Sequence, residues 1–184
     1  IQADIHPGTD PGSQRYDVDV DLTAARIKDL LPGWQKPAGK PARASFSWDP
    51  SDKGAGGTLD NLVVDSAPVL LRGTVTLGAD NRLRKAIMDQ ISLSPGDDFQ
   101  GVFEPSGNGW KVFVRGNRLD ARPMLSLLQK RAKGSAAAGS STYGSINADI
   151  RLGKVLGFND ETLTDLGLML DSKGTTIRKL DLSG

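Results

Sequence analysis

The sequence predicts a mainly β protein, an elongated curved antiparallel sheet with one or two short helices. Apolar and polar residues alternate with a period of two along most of the chain, as in strands with one buried face. Turn residues separate these segments, with 22 Gly and 10 Pro among 184 residues. Only residues 109–134 join a strand to a well-formed amphipathic helix pattern.

That stretch fixes the predicted architecture. Trp110, Val112 and Val114 share one side of a strand. Asp120 is a suitable N-cap, and Gly134 can end the helix. Between them, apolar residues follow the helical spacing i, i+3, i+4, i+7: Ala121, Met124, Leu125 and Leu128.

Upstream of this stretch, residues 1–15 are predicted to be a linker or disordered tail because they are rich in Pro, Gly and polar residues. Residues 16–22 read as a strand, and 23–31 as a short helix capped by Thr23 and stopped by Pro32. A connection over 34–41 and a strand over 44–48 follow.

A series of hairpins comes next. Strands are predicted over 58–65 and 69–77. The segment 82–93 fits a strand or a helical turn, with strand favoured, and 99–104 is expected to pair with 110–116. After the helix, a Gly/Ser/Ala linker over 135–144 precedes strands over 145–152, 163–171 and 175–182. This divides the chain into a β segment at 16–134 and the strands of a next repeat at 145–184.

A short internal echo supports a repeat. The pattern Leu59-x-x-Leu62-x-Val64 returns as Leu163-x-x-Leu166-x-Leu168, and each copy precedes a turn and another strand. Repeats of this kind indicate an extended, stackable sheet. Chance is the competing explanation, because alternating Leu is common in β proteins.

Composition restricts the function classes. The 23 Lys and Arg balance 22 Asp and Glu, which argues against a nucleic-acid partner. The absence of Cys excludes disulfides and thiolate metal sites. No apolar run approaches the roughly 18 residues of a membrane span. We expect the chain to be a piece of a longer protein.

No catalytic or metal site is predicted. His6 is the only histidine, beside Pro7 in the expected linker, without the oriented partner that general-base chemistry needs. Asp17, Asp19 and Asp21 have the opening spacing of a calcium loop, but the required Gly and Glu are missing, so a solvated strand face is favoured. Asp97 and Asp98 most simply belong to a turn. We therefore expect neither an enzyme nor a cofactor.

The apolar face of the sheet is the remaining functional candidate. Such a face must be covered by a second sheet, by curling, by another piece of the protein or by a ligand. From periodicity alone, ordinary sandwich packing is favoured over a groove for an acyl chain. The candidate lining residues are those on the apolar side of each predicted strand: Val18, Val20, Leu22, Phe46, Trp48, Leu62, Val64, Val69, Leu71, Val75, Leu77, Phe99, Phe103, Trp110, Val112, Val114, Ile146, Ile150, Leu166, Leu168 and Leu170.

Three segments carry a resemblance to a known family. They are residues 21–25 with 33–42, residues 114–125, and the closing stretch from Ala148 to Gly184. Over roughly residues 16–184 the chain resembles the AsmA-like envelope proteins of Gram-negative bacteria, of the YhdP type. The second segment, VRGNRLDARPML, is similar to that family's strand–Gly–Leu-Asp–helix signature.

The resemblance implies a function. It implies an internal segment of a periplasmic protein that is anchored in the inner membrane by a helix outside this sequence. The curled apolar groove of such a protein shields phospholipid or other acyl-chain lipids on the way to the outer membrane, serving outer-membrane biogenesis without a cofactor. Other envelope proteins are further expected partners.

Two alternatives remain open at this point. The first is a structural or protein-binding envelope β module without lipid cargo. The second is a carbohydrate-active domain with Trp34, Trp48 or Trp110 as a sugar platform beside Asp97 and Asp98. That alternative requires an exposed Trp next to converging carboxylates, and we expect Trp48 and Trp110 to be buried.

Overall fold

A computed structural model describes residues 2–7, 14–31, 34–50, 56–126, 144–159, 161–173 and 176–184. These ranges hold thirteen strands and one helical segment, α1, described over 122–126. The strands are β1 (Gln2–Pro7), β2 (Gln14–Asp21), β3 (Ile27–Leu31), β4 (Trp34–Lys36), β5 (Arg43–Pro50), β6 (Gly57–Ser66), β7 (Val69–Leu77), β8 (Leu83–Ser92), β9 (Asp98–Ser106), β10 (Gly109–Asp120), β11 (Ile146–Leu156), β12 (Thr162–Lys173) and β13 (Thr176–Ser183).

Eleven of these strands form one curved sheet that is not closed into a barrel. Its order is β1-β2-β5-β6-β7-β8-β9-β10-β11-β12-β13, so that nearly every strand lies beside its neighbour in sequence. Neighbouring strands are antiparallel, except for β10 and β11, which are parallel. Parallel neighbours need a crossover connection. The chain between them, which contains α1, therefore connects the end of β10 to the start of β11 at the opposite end of the sheet.

Within the described residues, one end of the sheet carries more covering structure than the other. We call it the helix end, because β10 runs into α1 there. The two-stranded sheet β3–β4 lies in the connection at the same end, between the end of β2 and the start of β5. Ile27 of β3 and Ala121 before α1 both pack against the hydrophobic core.

A buried lysine holds the β3–β4 connection in place. Lys36 is 2% exposed, and its Nζ donates to the carbonyl oxygens of Thr23, Ala25 and Pro37 at 3.1, 2.8 and 3.2 Å. Three carbonyl acceptors match the three donors of an ammonium group, so the charge is solvated by backbone dipoles rather than by water. The connection is therefore tied together by one side chain.

The internal echo has a structural counterpart. Asn61 lies between Leu59 and Leu62 with φ of 52°, and Asp165 lies between Leu163 and Leu166 with φ of 53°. Both residues sit where the ladder of their strand is interrupted. Asn and Asp are the residues other than Gly that adopt this conformation most readily. The repeated sequence pattern thus encodes a repeated break in strand geometry.

Most predicted strands are confirmed, including 82–93, which is β8. Three expectations are wrong. Residues 2–7 are an edge strand rather than part of a linker, because they pair along β2. The predicted helix at 23–31 is a turn followed by β3, and 34–36 in the predicted connection is β4. The predicted mainly β, curved and mostly antiparallel sheet is confirmed, and β10 and β11 form a parallel pair within it.

Some predictions fall outside the described residues. They are the second half of the helix, from 127 to 133, residues 8–13 of the expected linker, and 135–143 of the Gly/Ser/Ala linker. Residues 145–184 provide β11, β12 and β13, which continue the same sheet.

The left-handed position at Asn61 gives a stability prediction. Asn61→Val should lower the free energy of unfolding by about 1–2 kcal/mol, because a β-branched side chain is strained at positive φ. Urea denaturation followed by circular dichroism measures the change. Asn61→Gly should stay close to wild type. Asn147→Val, the same substitution at an exposed position of β11 without positive φ, is the matched control. Equal effects of the two Val substitutions would contradict the assignment of strain to Asn61.

Candidate functional site: the apolar face of the sheet

Cross-strand partners share a face of a sheet, so the register determines which side chains lie together. Starting at Tyr16 of β2, each apolar residue has an apolar partner in the next strand. This set, which we call the far row, takes one residue from each of ten strands and contains no charged side chain. It runs Tyr16, Trp48, Leu59, Val75, Ala86, Phe103, Val112, Ala148, Leu170 and Leu180.

Two further rows lie between the far row and the helix end. The middle row is Leu62, Gly73, Met88, Gly101, Val114, Ile150, Leu168 and Leu182. The helix-end row is Val20, Ala44, Val64, Leu71, Ile91, Phe99, Gly116, Leu152 and Leu166. All members of both rows are apolar or glycine, so the three rows make one continuous apolar face.

The structure places the predicted lining residues on this face. Fourteen belong to the three rows. Val18 and Phe46 pair with each other, and Trp110 pairs with Ile146. Val69 and Leu77 lie at the two ends of β7, on the same side as Leu71. Only Leu22 falls outside a strand, just beyond β2, where its N–H donates to the Ala42 carbonyl at 2.8 Å.

Burial of this face is uneven. Toward the helix end, Val69 is 1% and Leu152 2% exposed. Toward the β13 edge the same face is open, since Leu163, Leu180 and Leu182 are 51%, 52% and 64% exposed. The apolar face is therefore a filled core around Val69 and Leu152, and it becomes solvent-accessible across the strands toward the β13 edge.

The opposite face is mainly polar and laced with ion pairs. Arg43 bonds Asp19 at 2.5 Å, Lys85 bonds Glu104 at 2.9 Å, and Arg115 bonds Asp149 at 2.7 Å. Ion pairs of this kind at the surface contribute little stability. Their charged side chains keep this face hydrated, so only the apolar face offers a broad hydrocarbon-like surface.

A short apolar stripe interrupts the polar face. Ile87, Val102 and Phe113 are consecutive partners across β8, β9 and β10, and Ile87 and Phe113 are each 40% exposed. The sequence pattern groups Ile87 with Leu83 and Ile91, but the ladder is irregular on both sides of Ile87 and turns it to the polar face.

The acidic pair has a structural explanation. Asp97 is 7% exposed; its Oδ2 accepts from the N–H groups of Leu93 and Ser94, and its Oδ1 accepts from the N–H of Asp120 at 2.7 Å. Asp98 is exposed and accepts from the side chain of Asn117. The turn prediction is confirmed for Asp97, whose carboxylate accepts from backbone N–H groups, whereas Asp98 is the first residue of β9.

The carbohydrate alternative does not fit the positions of these groups. Trp110 is 41% exposed, so the expectation that it is buried is wrong. It lies at the start of β10, however, while Asp98 pairs with Arg118 near the other end. Eight residues of strand separate the two levels, about 26 Å at 3.3 Å per residue. Trp48 is half-buried, and the side chain of Trp34 lies outside the described part of the chain.

The remaining candidates are accounted for similarly. Asp17, Asp19 and Asp21 lie on the polar face of β2, as expected of a solvated strand face. In the described ranges, no three His, Asp or Glu side chains are placed to hold a metal ion. His6 lies in β1, and its side chain is outside the described residues. No helix of the described residues is long and apolar enough to cross a lipid bilayer.

Comparison with known proteins gave no match to a family model, to a curated protein or to a solved structure.

The role of Asp97 gives a second stability prediction. Asp97→Ala should destabilise the protein by about 2–4 kcal/mol, because three backbone donors lose a charged acceptor in a buried turn. Asp98→Ala, at the exposed neighbour, should cost less than about 1 kcal/mol. Thermal and urea unfolding of both variants measure the difference. Similar losses at the two positions would mean that Asp97 does not organise the turn.

The polar face gives a pH prediction. Hydrogen bonds hold the pKa of five aspartates below the ordinary value of 3.8, with Arg43 on Asp19 and Arg115 on Asp149 as examples. When a pKa is depressed by folding, its stabilisation is present above the unfolded value and is lost as the pH falls through the folded value. The free energy of unfolding should therefore be flat between about pH 5 and 7 and fall below about pH 4.

A variant isolates one of these pairs. Arg43→Gln removes the main cause of the low Asp19 pKa, so its stability should fall less steeply between pH 4 and pH 2.5. Lys40→Gln, a change at an exposed lysine near Arg43, is the control. Urea midpoints across this pH range measure the slope. An unchanged slope in Arg43→Gln would show that the pair does not link folding to protonation.

Proposed function

We propose that this chain is an internal segment of a periplasm-spanning protein of the AsmA-like class, anchored in the inner membrane. It would shield phospholipid acyl chains in an apolar groove during their transport toward the outer membrane. The far row supports the proposal most directly. An uninterrupted apolar path across ten strands is what a sliding acyl chain requires.

The dimensions of the face suit an acyl chain. The three rows occupy four residues of strand length, about 13 Å, which is close to half of the roughly 30 Å hydrocarbon core of a bilayer. Across the strands the face extends about 45–50 Å, at 4.7–4.9 Å per strand. A single chain can thus lie across the width of the face while the path continues along the sheet.

The energetics require continuity rather than a specific residue. Each exposed methylene costs about 0.8 kcal/mol, so even a short polar gap would hold a chain back. No charged residue interrupts any of the three rows. Movement along such a surface needs neither a catalytic group nor a cofactor, and we propose passive conduction in this segment.

Location and direction follow from the resemblance alone. Residues 21–25 with 33–42, and residues 114–125, support placement in the cell envelope, in a parent protein whose membrane anchor lies outside this sequence. The two faces suit this environment, since one is wetted by ion pairs and the other is apolar.

The alternative is a structural or protein-binding envelope module without cargo. One observation favours it: the helix end of the apolar face is already filled, with Val69 and Leu152 almost fully buried. If that packing extended along the whole face, no groove would remain. The exposed Leu163 and Trp110 favour the lipid proposal instead.

Carboxylates placed on the exposed apolar face test the proposal. We expect the chain to bind a fluorescent phosphatidylethanolamine, and to retain co-purified phospholipid in native mass spectrometry after isolation in mild detergent. Trp110→Asp with Leu163→Asp should weaken binding by about tenfold or more, because a charge then lies in the path of the chain. Both residues are more than 40% exposed, so the sheet should remain folded.

The polar face offers a matched control. Ile87→Asp with Met169→Asp changes two apolar residues that are 40% and 48% exposed on the opposite side. Binding should stay at the wild-type level. A wild-type chain that is monodisperse and lipid-free would contradict the proposal and favour the structural module. Equal loss in both double variants would mean that the lipid does not use the apolar face.

A further inference from the structure

The apolar face continues beyond the far row as a fourth row, which we call the far rim. It crosses β10, β11, β12 and β13 at Trp110, Ile146, Ser172 and Ile177. Trp110 and Ile177 are 41% and 59% exposed, so solvent reaches both ends of this row. A Trp side chain suits such a margin, because its ring is apolar and its N–H can meet water.

Three residues of the far rim are each followed in sequence by an exposed cation. The cations are Lys111, Lys173 and Arg178. Among the described residues, none of them takes part in an ion pair. Glu104 lies opposite Lys111 in the ladder but bonds Lys85 at 2.9 Å. Three positive charges at the margin of an apolar surface are thus left without an anionic partner in this part of the chain.

The backbone places Arg178 at an irregularity. The ladder between β12 and β13 steps at Asp171/Ser172, and Arg178 is the extra residue of the β-bulge that results. Its neighbour Lys179 stays on the polar face, opposite Asp171, and bonds Asp181 at 3.0 Å. Bulges are common where a sheet re-aims a side chain for binding.

The whole far side of the sheet is basic from β7 to β13. Its described strand ends and turns hold seven Lys and Arg residues against three Asp and Glu, over residues 76–85, 104–111, 144–147, 171–173 and 176–179. Two of these acids, Asp80 and Glu104, are already bonded by Arg84 and Lys85. An anion near this side therefore meets an excess of positive charge.

The helix end of the same strands has the opposite balance. Its described residues beyond the helix-end row hold three cations against five acids, over residues 67–70, 92–98, 117–126, 153–159, 161–165 and 183–184. Ile27 of the β3–β4 connection and Ala121 before α1 also cover the face there. The helix end is thus acidic and covered, whereas the far rim is basic and open.

We propose that the far rim binds the phosphate of a lipid whose acyl chains lie on the apolar face, and that Lys111, Lys173 and Arg178 hold it. This orientation, with the headgroup at the far rim and the chains toward the helix end, rests on the proposed function. Lys and Arg can lay their methylene stems along apolar surface while their charged heads reach a phosphate. The site lies at strand ends and does not require β13 to be an outer strand.

Two probes with the same acyl chains separate the phosphate from the hydrocarbon. Fluorescent phosphatidylglycerol carries one phosphate and no amine, and the matching diacylglycerol carries neither. The wild-type chain should bind the phosphatidylglycerol about tenfold or more tightly than the diacylglycerol. In the triple variant Lys111→Gln, Lys173→Gln, Arg178→Gln this preference should be lost, and diacylglycerol should still bind.

Three exposed cations away from the far rim provide the matched control. Arg26→Gln, Arg72→Gln and Lys154→Gln remove the same charge from the side of the helix end. This control variant should keep the wild-type preference. Salt gives an independent readout: raising it from about 50 to about 500 mM should weaken the binding of phosphatidylglycerol but not of diacylglycerol, because charges at an exposed rim are screened.

The outcomes separate this orientation from the proposed function itself. Equal affinity of the wild-type chain for the two lipids would overturn the phosphate site and leave the apolar groove standing. Binding of neither lipid would overturn the groove and the site with it. Equal loss of preference in both triple variants would overturn the assignment to the far rim. Displacement of bound phosphatidylglycerol by low concentrations of inorganic phosphate would mean that the rim is a site for the free anion, which overturns its assignment to lipid.

Discussion

The constraint on which this structure depends is the register of its strands. Side chains alternate between faces, so a slip of one residue would move a strand's apolar set to the wet side. The far row shows how strictly the constraint is met, since ten successive strands each present an apolar residue at the same level. Without that agreement there would be no continuous core at the helix end and no apolar surface toward the edge.

Several strands keep their apolar residues on one face because the alternation of their side chains shifts by one residue at an irregularity of the backbone. On the apolar face the spacing between successive residues becomes three instead of two, as from Leu59 to Leu62 and from Leu163 to Leu166. In β6 an extra residue at Asn61 absorbs the difference relative to β7, whereas β11 and β12 keep their register past Asp165; both residues have left-handed backbone. Such breaks also bend a sheet, which helps a sheet of eleven strands to curve instead of lying flat.

The sequence alone was sufficient for most strands and for the face that each presents. Trp110, Val112 and Val114, for example, alternate cleanly and pair as expected with β9. Strict alternation failed at the breaks, which is why Ile87 is on the unexpected face. Propensity failed at 23–31, where Ala24, Ala25 and Leu30 favour a helix locally but Ile27 instead packs on the sheet from β3. Tertiary contacts of this kind leave no trace in local spacing.

The uneven burial of the apolar face separates what the fold needs from what it leaves available. A stable sheet requires a core, and the residues around Val69 and Leu152 supply one under the β3–β4 connection and the start of α1. Beyond that core, nothing in folding requires large aliphatic side chains at Leu163 or Leu180, where polar residues would be more soluble. Leu180 lies in the far row and Leu163 is the cross-strand partner of the buried Val155, so both extend the surface of the core instead of scattering apolar groups. The apolar face is thus filled around Val69 and Leu152 and open toward the β13 edge. Such a surface is suited to accepting a further apolar component, whether an acyl chain on the face or another strand at its edge.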